Sequence, residues 1–158
     1  MKSMNLSKTW NTLSRYPLGK TLFSKMIGRY APYSGSINAQ VEILNQEECQ
    51  VTLQDKHKVR NHLNCIHAIA LMNLGEIVTG LKVMYTIDGV GRGIVTSLQM
   101  YYHKKSRGQI TAICNDEIPI TSGTHQLCVI GKLYDSQKNL VAEIEAHWQI
   151  EIKDSSAK

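Results

Sequence analysis

The residue in this sequence best placed to do chemistry is Glu76. Between Arg60 and Lys82 it is the only formally charged side chain, histidines aside, in a run that is otherwise mostly apolar or small: NHLNCIHAIALMNLGEIVTGL. Desolvating a carboxylate there is unfavourable unless it is paired, hydrogen-bonded or protonated. Either the fold supplies a partner, or the group faces a cavity where substrate and water arrive. Asn73 and Thr79 flank it at helical spacing and are the partners that a purely structural Glu76 would use.

Other chemistry-bearing groups are weaker signals. His103, Lys104, Lys105 and Arg107 form the densest basic cluster, suited to a few phosphates on a small ligand or to a solvated turn. Cys65 with His67 and His125 with Cys128 could together make four zinc ligands, but the regular pairings of structural zinc sites are missing, so no metal is expected. Gly19-Lys20-Thr21 lacks the earlier glycine of a phosphate-binding loop, since Ser14 stands there. Asp88-Gly89-Val90-Gly91-Arg92-Gly93 has the wrong glycine spacing for a dinucleotide site and reads as a flexible connection. Net charge is +5, yet no basic stripe is interleaved with aromatics, which argues against nucleic acid as a partner.

The elements that must carry these groups follow from periodicity. Ile66, Ala70, Leu74, Ile77 and Leu81 recur at helical spacing, and further apolar groups lie on the other faces, so a long, largely buried helix runs to about Tyr85. Asn73, Gly75, Glu76, Thr79 and Gly80 interrupt it too often for a membrane span. Residues 4–30 read as two short amphipathic helices split at Pro17-Leu18-Gly19, and Pro32-Tyr33-Ser34-Gly35 as a turn. Period-two alternation marks a hairpin (Ile37 to Ile43, then Cys49 to Leu53) and four later strands. The first of these alternates at Ile94, Thr96, Leu98, Met100 and Tyr102; the last, Leu140 to Ile152, has one apolar face and one carrying Glu143, Glu145, His147, Gln149 and Glu151.

The expected class is α+β, an antiparallel sheet wrapped around one central helix. The 158 residues suffice for one domain, with residues 1–33 as a helical extension, 34–152 as the core and 153–158 as a frayed tail. One helix covers only part of such a sheet, so a homodimer, possibly a tetramer, is expected. The N-terminus lacks an apolar secretory segment, and Cys49, Cys65, Cys114 and Cys128 are scattered, which points to reduced thiols in the cytoplasm.

This arrangement resembles the hotdog fold, and its centre resembles the PaaI-type acyl-CoA thioesterases. That branch shows an Asn, a His six residues on that opens His-Gly-Gly, and a helical Asp or Glu nine residues after the His; Asn61, His67 and Glu76 stand at those spacings. The N-terminal helices and the approach Pro32-Tyr33-Ser34-Gly35-Ser36-Ile37 resemble a thioesterase-like, domain-of-unknown-function subgroup of the same fold.

The resemblance implies hydrolysis of an acyl-CoA thioester, with Glu76 as general base, or less readily as nucleophile. Asn61 would donate a hydrogen bond or position water, and the Ala68 N–H, just after His67 at the helix N-terminus, would hold the developing oxyanion. His67 itself reads as a hydrogen-bonding brace. At about 100° per residue, nine residues place His67 and Glu76 on opposite sides of a helix, which the family resolves by drawing the carboxylate from a second subunit. His103, Lys104, Lys105 and Arg107 would meet the coenzyme A portion, with no cofactor beyond it. The chain departs from the family at Ala68-Ile69, which replaces Gly-Gly, at Asn64, where glycine is frequent, and at Ile94, where a water-orienting hydroxyl is found in some members; Thr96 and Ser97 are its possible substitutes. A non-catalytic hotdog protein that binds an acyl group or a protein partner is the alternative. A hotdog dehydratase is remoter.

Overall fold

The computed structural model describes residues 5–154. Helix α1 (Leu6–Leu13) starts at Asn5, whose Oδ1 accepts from the Lys8 N–H at 2.8 Å, satisfying a donor the helix cannot. Helix α2 (Gly19–Tyr30) follows through Leu18 in the left-handed conformation, φ 62°. Any side chain at Gly19 would collide with the Leu13 carbonyl, so the two helices turn this tightly only with glycine there. Trp10 and Phe23 lock them edge to face, ring centroids 4.9 Å apart.

Pro32–Gly35, expected as a plain turn, is instead one more helical turn, α3. Proline suits the first helical position because the N–H it lacks would find no acceptor there. Strands β1 (Gln40–Leu44) and β2 (Cys49–Leu53) form the expected hairpin, and a single 3₁₀ turn (His57–Val59) leads into the loop before α4 (Ala68–Thr86). Strands β3 (Gly91–Tyr102), β4 (Ile110–Cys114), β5 (Gly123–Tyr134) and β6 (Leu140–Ile152) complete one antiparallel sheet ordered β1-β2-β4-β5-β6-β3.

All six strands contact α4. Gly75, Val78 and Thr79 press onto β5 and β6, so closely that a methyl group at Gly75 would sit 3.0 Å from Ile144. The face bearing Asn73, Glu76 and Tyr85 meets α1 and α3 instead. By length and composition α4 would suffice to cross a bilayer, but most of it is buried inside the fold. This helix-in-sheet arrangement is the one that the periodicity predicts and that the resemblance to the hotdog fold implies.

Two further expectations are corrected. The Asp88 to Gly93 segment is not wholly a flexible connection: Gly89 makes the turn at φ +81°, but Gly91 and Gly93 already belong to β3. A Cβ at Gly91 would lie 2.7 Å from the Glu151 carbonyl, and one at Gly93 2.9 Å from Ile150. The inward face of β3 is also not the simple alternation from Ile94 to Tyr102. Val95 pairs with Trp148 and Ser97 with His147, leaving Thr96 as a bulge that shifts the phase. Ile94 is therefore exposed, while Val95, Leu98 and Met100 pack on the core.

Of the expected frayed tail, residues 155–158 lie outside the described residues. Lys153 is tied down, its N–H donating to the Val90 carbonyl at 2.9 Å.

Candidate active site

Glu76 lies midway along α4 on the face turned toward the N-terminal helices. Three residues before it, Asn73 donates to the Tyr33 carbonyl at 3.2 Å, and the Ser34 hydroxyl donates to Glu76 Oε2 at 3.5 Å. The single turn of α3 is thus held over the middle of α4 by two polar side chains. The 3.5 Å bond is at the outer limit for an O–H···O contact. No lysine or arginine forms an ion pair with Glu76 among the described residues. Burial accordingly pushes its carboxyl above the usual carboxylate range, and the Ser34 hydroxyl opposes this only in part.

Asn73 and Thr79 are not its partners. Asn73 serves α3, and the Thr79 hydroxyl bonds back to the Gly75 and Glu76 carbonyls at 2.9 and 3.2 Å. The carboxylate instead borders an open cavity of about 430 Å³. Ile27, Tyr30, Met84 and Trp148 are among its apolar lining, and Asp88 and Lys153 also border it. Among the described residues the buried Trp148 indole N–H finds no acceptor, a rare condition for so strong a donor.

The other residues singled out by sequence gather at the N-terminus of α4, in a different place. His67 caps the helix: its Nδ1 accepts from the Ile69 N–H at 3.1 Å, so the ring is a brace, with that nitrogen unprotonated. The Asn61 Oδ1 is turned into its own loop, where it accepts from the Leu63 N–H at 2.9 Å and the Cys65 thiol at 3.3 Å. The Ala68 N–H has no acceptor among the described residues, and the Tyr102 hydroxyl donates to the Ala68 carbonyl at 3.0 Å. His67 borders a separate small cavity with Tyr33, Lys58 and Arg60, so within one chain His67 and Glu76 do not face a common space.

The basic cluster is exposed and partly committed. Lys104 pairs with Asp135 at 2.8 Å and holds that carboxyl well below its ordinary value. The Arg107 guanidinium donates to the Asn64 carbonyl at 3.2 Å, which sets the cluster against the Asn61–His67 loop. His103 and Lys105 are exposed beside it. Thr96, at the bulge of β3, donates to the His147 carbonyl at 3.2 Å and stands apart from both groups. Cys65 and His67 do not assemble with His125 and Cys128 among the described residues.

With this geometry in hand, comparison with known proteins is informative. The family described as Domain of unknown function (DUF4442) matches residues 19–150. The chain belongs to the DUF4442 family. This DUF4442 chain is similar to a structural-genomics crystal structure titled APC5556, at 26% identity and a TM-score of 0.79, over 93% of this chain and 98% of that one. It is also similar to PA5026 of Pseudomonas aeruginosa, described as a probable thioesterase of unknown function (19% identity, TM-score 0.69, 87% and 97% covered). A third neighbour is the thioesterase HI1161 of Haemophilus influenzae (10% identity, TM-score 0.66, 80% and 87% covered). At those last two identities the likeness establishes the fold. No curated protein gives a match.

Sequence reasoning missed three features of this DUF4442 site. Ser34 lies 42 residues from Glu76 and carries no local signal of the contact. Trp148 reads as an ordinary inward strand residue; only the fold shows its N–H unpaired. Lys82, marked by the sequence only as the cation that closes the apolar run, is buried at 1% exposure, its Nζ donating to the Gln46 carbonyl of the β1–β2 turn.

Proposed function

We propose that the protein hydrolyses an acyl thioester, with Glu76 as the general base. One observation carries this reading: a half-buried carboxylate, without a cationic partner among the described residues and held by one long hydroxyl contact, borders an apolar cavity of about 430 Å³. A carboxylate needed only for structure would be expected to be better satisfied. The thioesterase neighbours make a thioester the natural substrate class.

In the proposed reaction Glu76 takes a proton from water as the oxygen attacks the thioester carbonyl carbon. The tetrahedral oxyanion is stabilised by a backbone N–H at a helix N-terminus, for which the Ala68 amide, free of any acceptor, is the candidate. Collapse expels the thiolate, which recovers the proton from Glu76. Since Ala68 does not line the Glu76 cavity of its own chain, the complete site needs the Ala68 end of one copy against the Glu76 cavity of a second. The edge strand β3, which exposes Ile94, Tyr101 and Tyr102, supports such pairing. Coenzyme A would lie along His103, Lys105 and Arg107.

The non-catalytic alternative, an acyl-binding hotdog, is favoured by one specific feature: the Asn61 carbonyl and His67 Nδ1 already hold their own loop and helix cap. The test is thioester hydrolysis by the purified protein across short, long and aromatic acyl-CoAs, with Glu76→Gln alongside. Hydrolysis that falls about 10²–10⁴-fold in the variant supports the reading. Hydrolysis that survives the substitution removes Glu76 from the chemistry, and none with any acyl group, although one binds, makes the protein a binding module.

A further inference from the structure

Away from the Glu76 cavity, the outer face of the sheet carries a second group of chemistry-bearing side chains. Strand register sets Cys128 of β5 directly opposite His147 of β6, and Glu145 lies two residues before His147 on the same face. One ligand atom from each residue falls within 4.8 Å of the other two. Adjacent spacings along the chain hide this trio, because Cys128 and His147 are brought together only by the pairing of β5 with β6.

We propose that Cys128, Glu145 and His147 bind a divalent ion of the zinc class on the outer face of the sheet. A thiolate, an imidazole and a carboxylate are the donor types that a borderline-soft ion takes, whereas magnesium and calcium prefer oxygen alone. Tetrahedral zinc with bonds of about 2.0–2.3 Å needs its ligand atoms about 3.4–3.6 Å apart. Atoms already within 4.8 Å on paired strands reach that spacing by side-chain rotation, without moving the backbone. Three protein ligands leave the fourth position to water or an exogenous ligand, since all three side chains are at least partly exposed.

The surroundings suit a cation. In a chain of net charge +5, no lysine or arginine among the described residues forms an ion pair with Glu145 or Asp116. A bound dication takes up the thiolate, releasing a proton. Cys49, Cys65 and Cys114 are buried, so Cys128 is the one exposed thiol.

The test uses the full-length, untagged protein after treatment with a chelator, titrated with cobalt(II) and then zinc(II). Expected is one cobalt ion per chain, with a thiolate-to-cobalt charge-transfer absorption that an equivalent of zinc abolishes. Cys128→Ser should remove the absorption, and His147→Ala should weaken zinc binding about tenfold or more by calorimetry. Zinc, and not magnesium, should raise the melting temperature of the wild type. Saturating cobalt without a charge-transfer band in the wild type would overturn the proposal, a result that needs no variant to fold. So would equal zinc affinity in Cys128→Ser, or binding of magnesium as tight as that of zinc.

Discussion

Two ionisable side chains stand six residues apart on α4, and the fold treats them oppositely. Lys82 is turned into the core and nearly sealed from solvent, its ammonium given to the Gln46 carbonyl at the β1–β2 turn. Glu76 is left half-buried beside an open cavity, with one hydroxyl at 3.5 Å. Lys82 closes the hairpin onto the helix. Glu76 closes little, because Asn73 already fastens α3 through the Tyr33 carbonyl. On one helix, a charge with a structural task is enclosed with its partner, whereas a charge kept short of partners at a cavity wall is available for other use.

Glu76→Gln sharpens this contrast most. Thioester turnover is expected to fall about 10²–10⁴-fold, while the melting temperature holds or rises, because the amide removes a charge that burial disfavours. A variant that loses activity only because it unfolds would break the comparison, and thermal melting beside the assay distinguishes the two.

Lys82→Ala gives the opposite pattern. It deletes a buried aliphatic stem and leaves the Gln46 carbonyl without its donor, so urea unfolding should show a loss of about 2–5 kcal/mol. Lys82→Met keeps the stem and should cost about 1–3 kcal/mol. A Lys82 variant as stable as the wild type would remove its structural role.

The pH dependence tests the same pair through Glu76. Its folded pKa lies above its unfolded value, so the folded state holds the proton more tightly and stability falls as pH rises from the unfolded value through the folded one. Acidifying the wild type from neutrality toward about pH 4.3 should therefore recover stability that Glu76→Gln already has. Asp55 and Asp135 carry the opposite sign, since Arg60 and Lys104 respectively hold them low. Their contribution is present above the unfolded aspartate value and is lost as pH falls below about 3.9. Denaturant melts across this range should show a maximum on the acid side in the wild type, displaced in the variant.

The smallest effects come from two glycines of α4. A methyl group at Gly80 meets Trp148 and Glu76 no closer than 3.5 Å, so Gly80→Ala should stabilise the helix by about 0.4–1 kcal/mol. At Gly75 the same change presses on Ile144 at 3.0 Å and should destabilise by about 1–3 kcal/mol. Equal outcomes would mean that the cavity side and the sheet side of the helix are packed alike.

Much of this architecture was legible in the residues. The unbroken alternation of β6 and the apolar spacing of α4 report burial directly, because each side chain's face is set by local periodicity. What escaped depends on contacts distant along the chain. The bulge at Thr96 inverted the face of Ile94, and a phase shift of one residue leaves composition unchanged. The burial of Lys82 depends on a turn 36 residues earlier. Within the site, Glu76 stood out because its neighbours are apolar, whereas the use of Asn61 and His67 as loop and cap braces appears only when their acceptor atoms are located.

The Asp88 carboxylate receives both the Ser7 amide, at 2.7 Å, and the Ser7 hydroxyl, at 2.8 Å, joining positions 81 residues apart. The contact closes a loop of about half the chain, so the Ser7 end of α1 is anchored only when the turn after α4 is in place. Loop closure of that span opposes early docking. The wall that Leu6 contributes to the Glu76 cavity therefore hangs on a contact distant along the chain, and a change that loosens the turn at Asp88 loosens that wall with it.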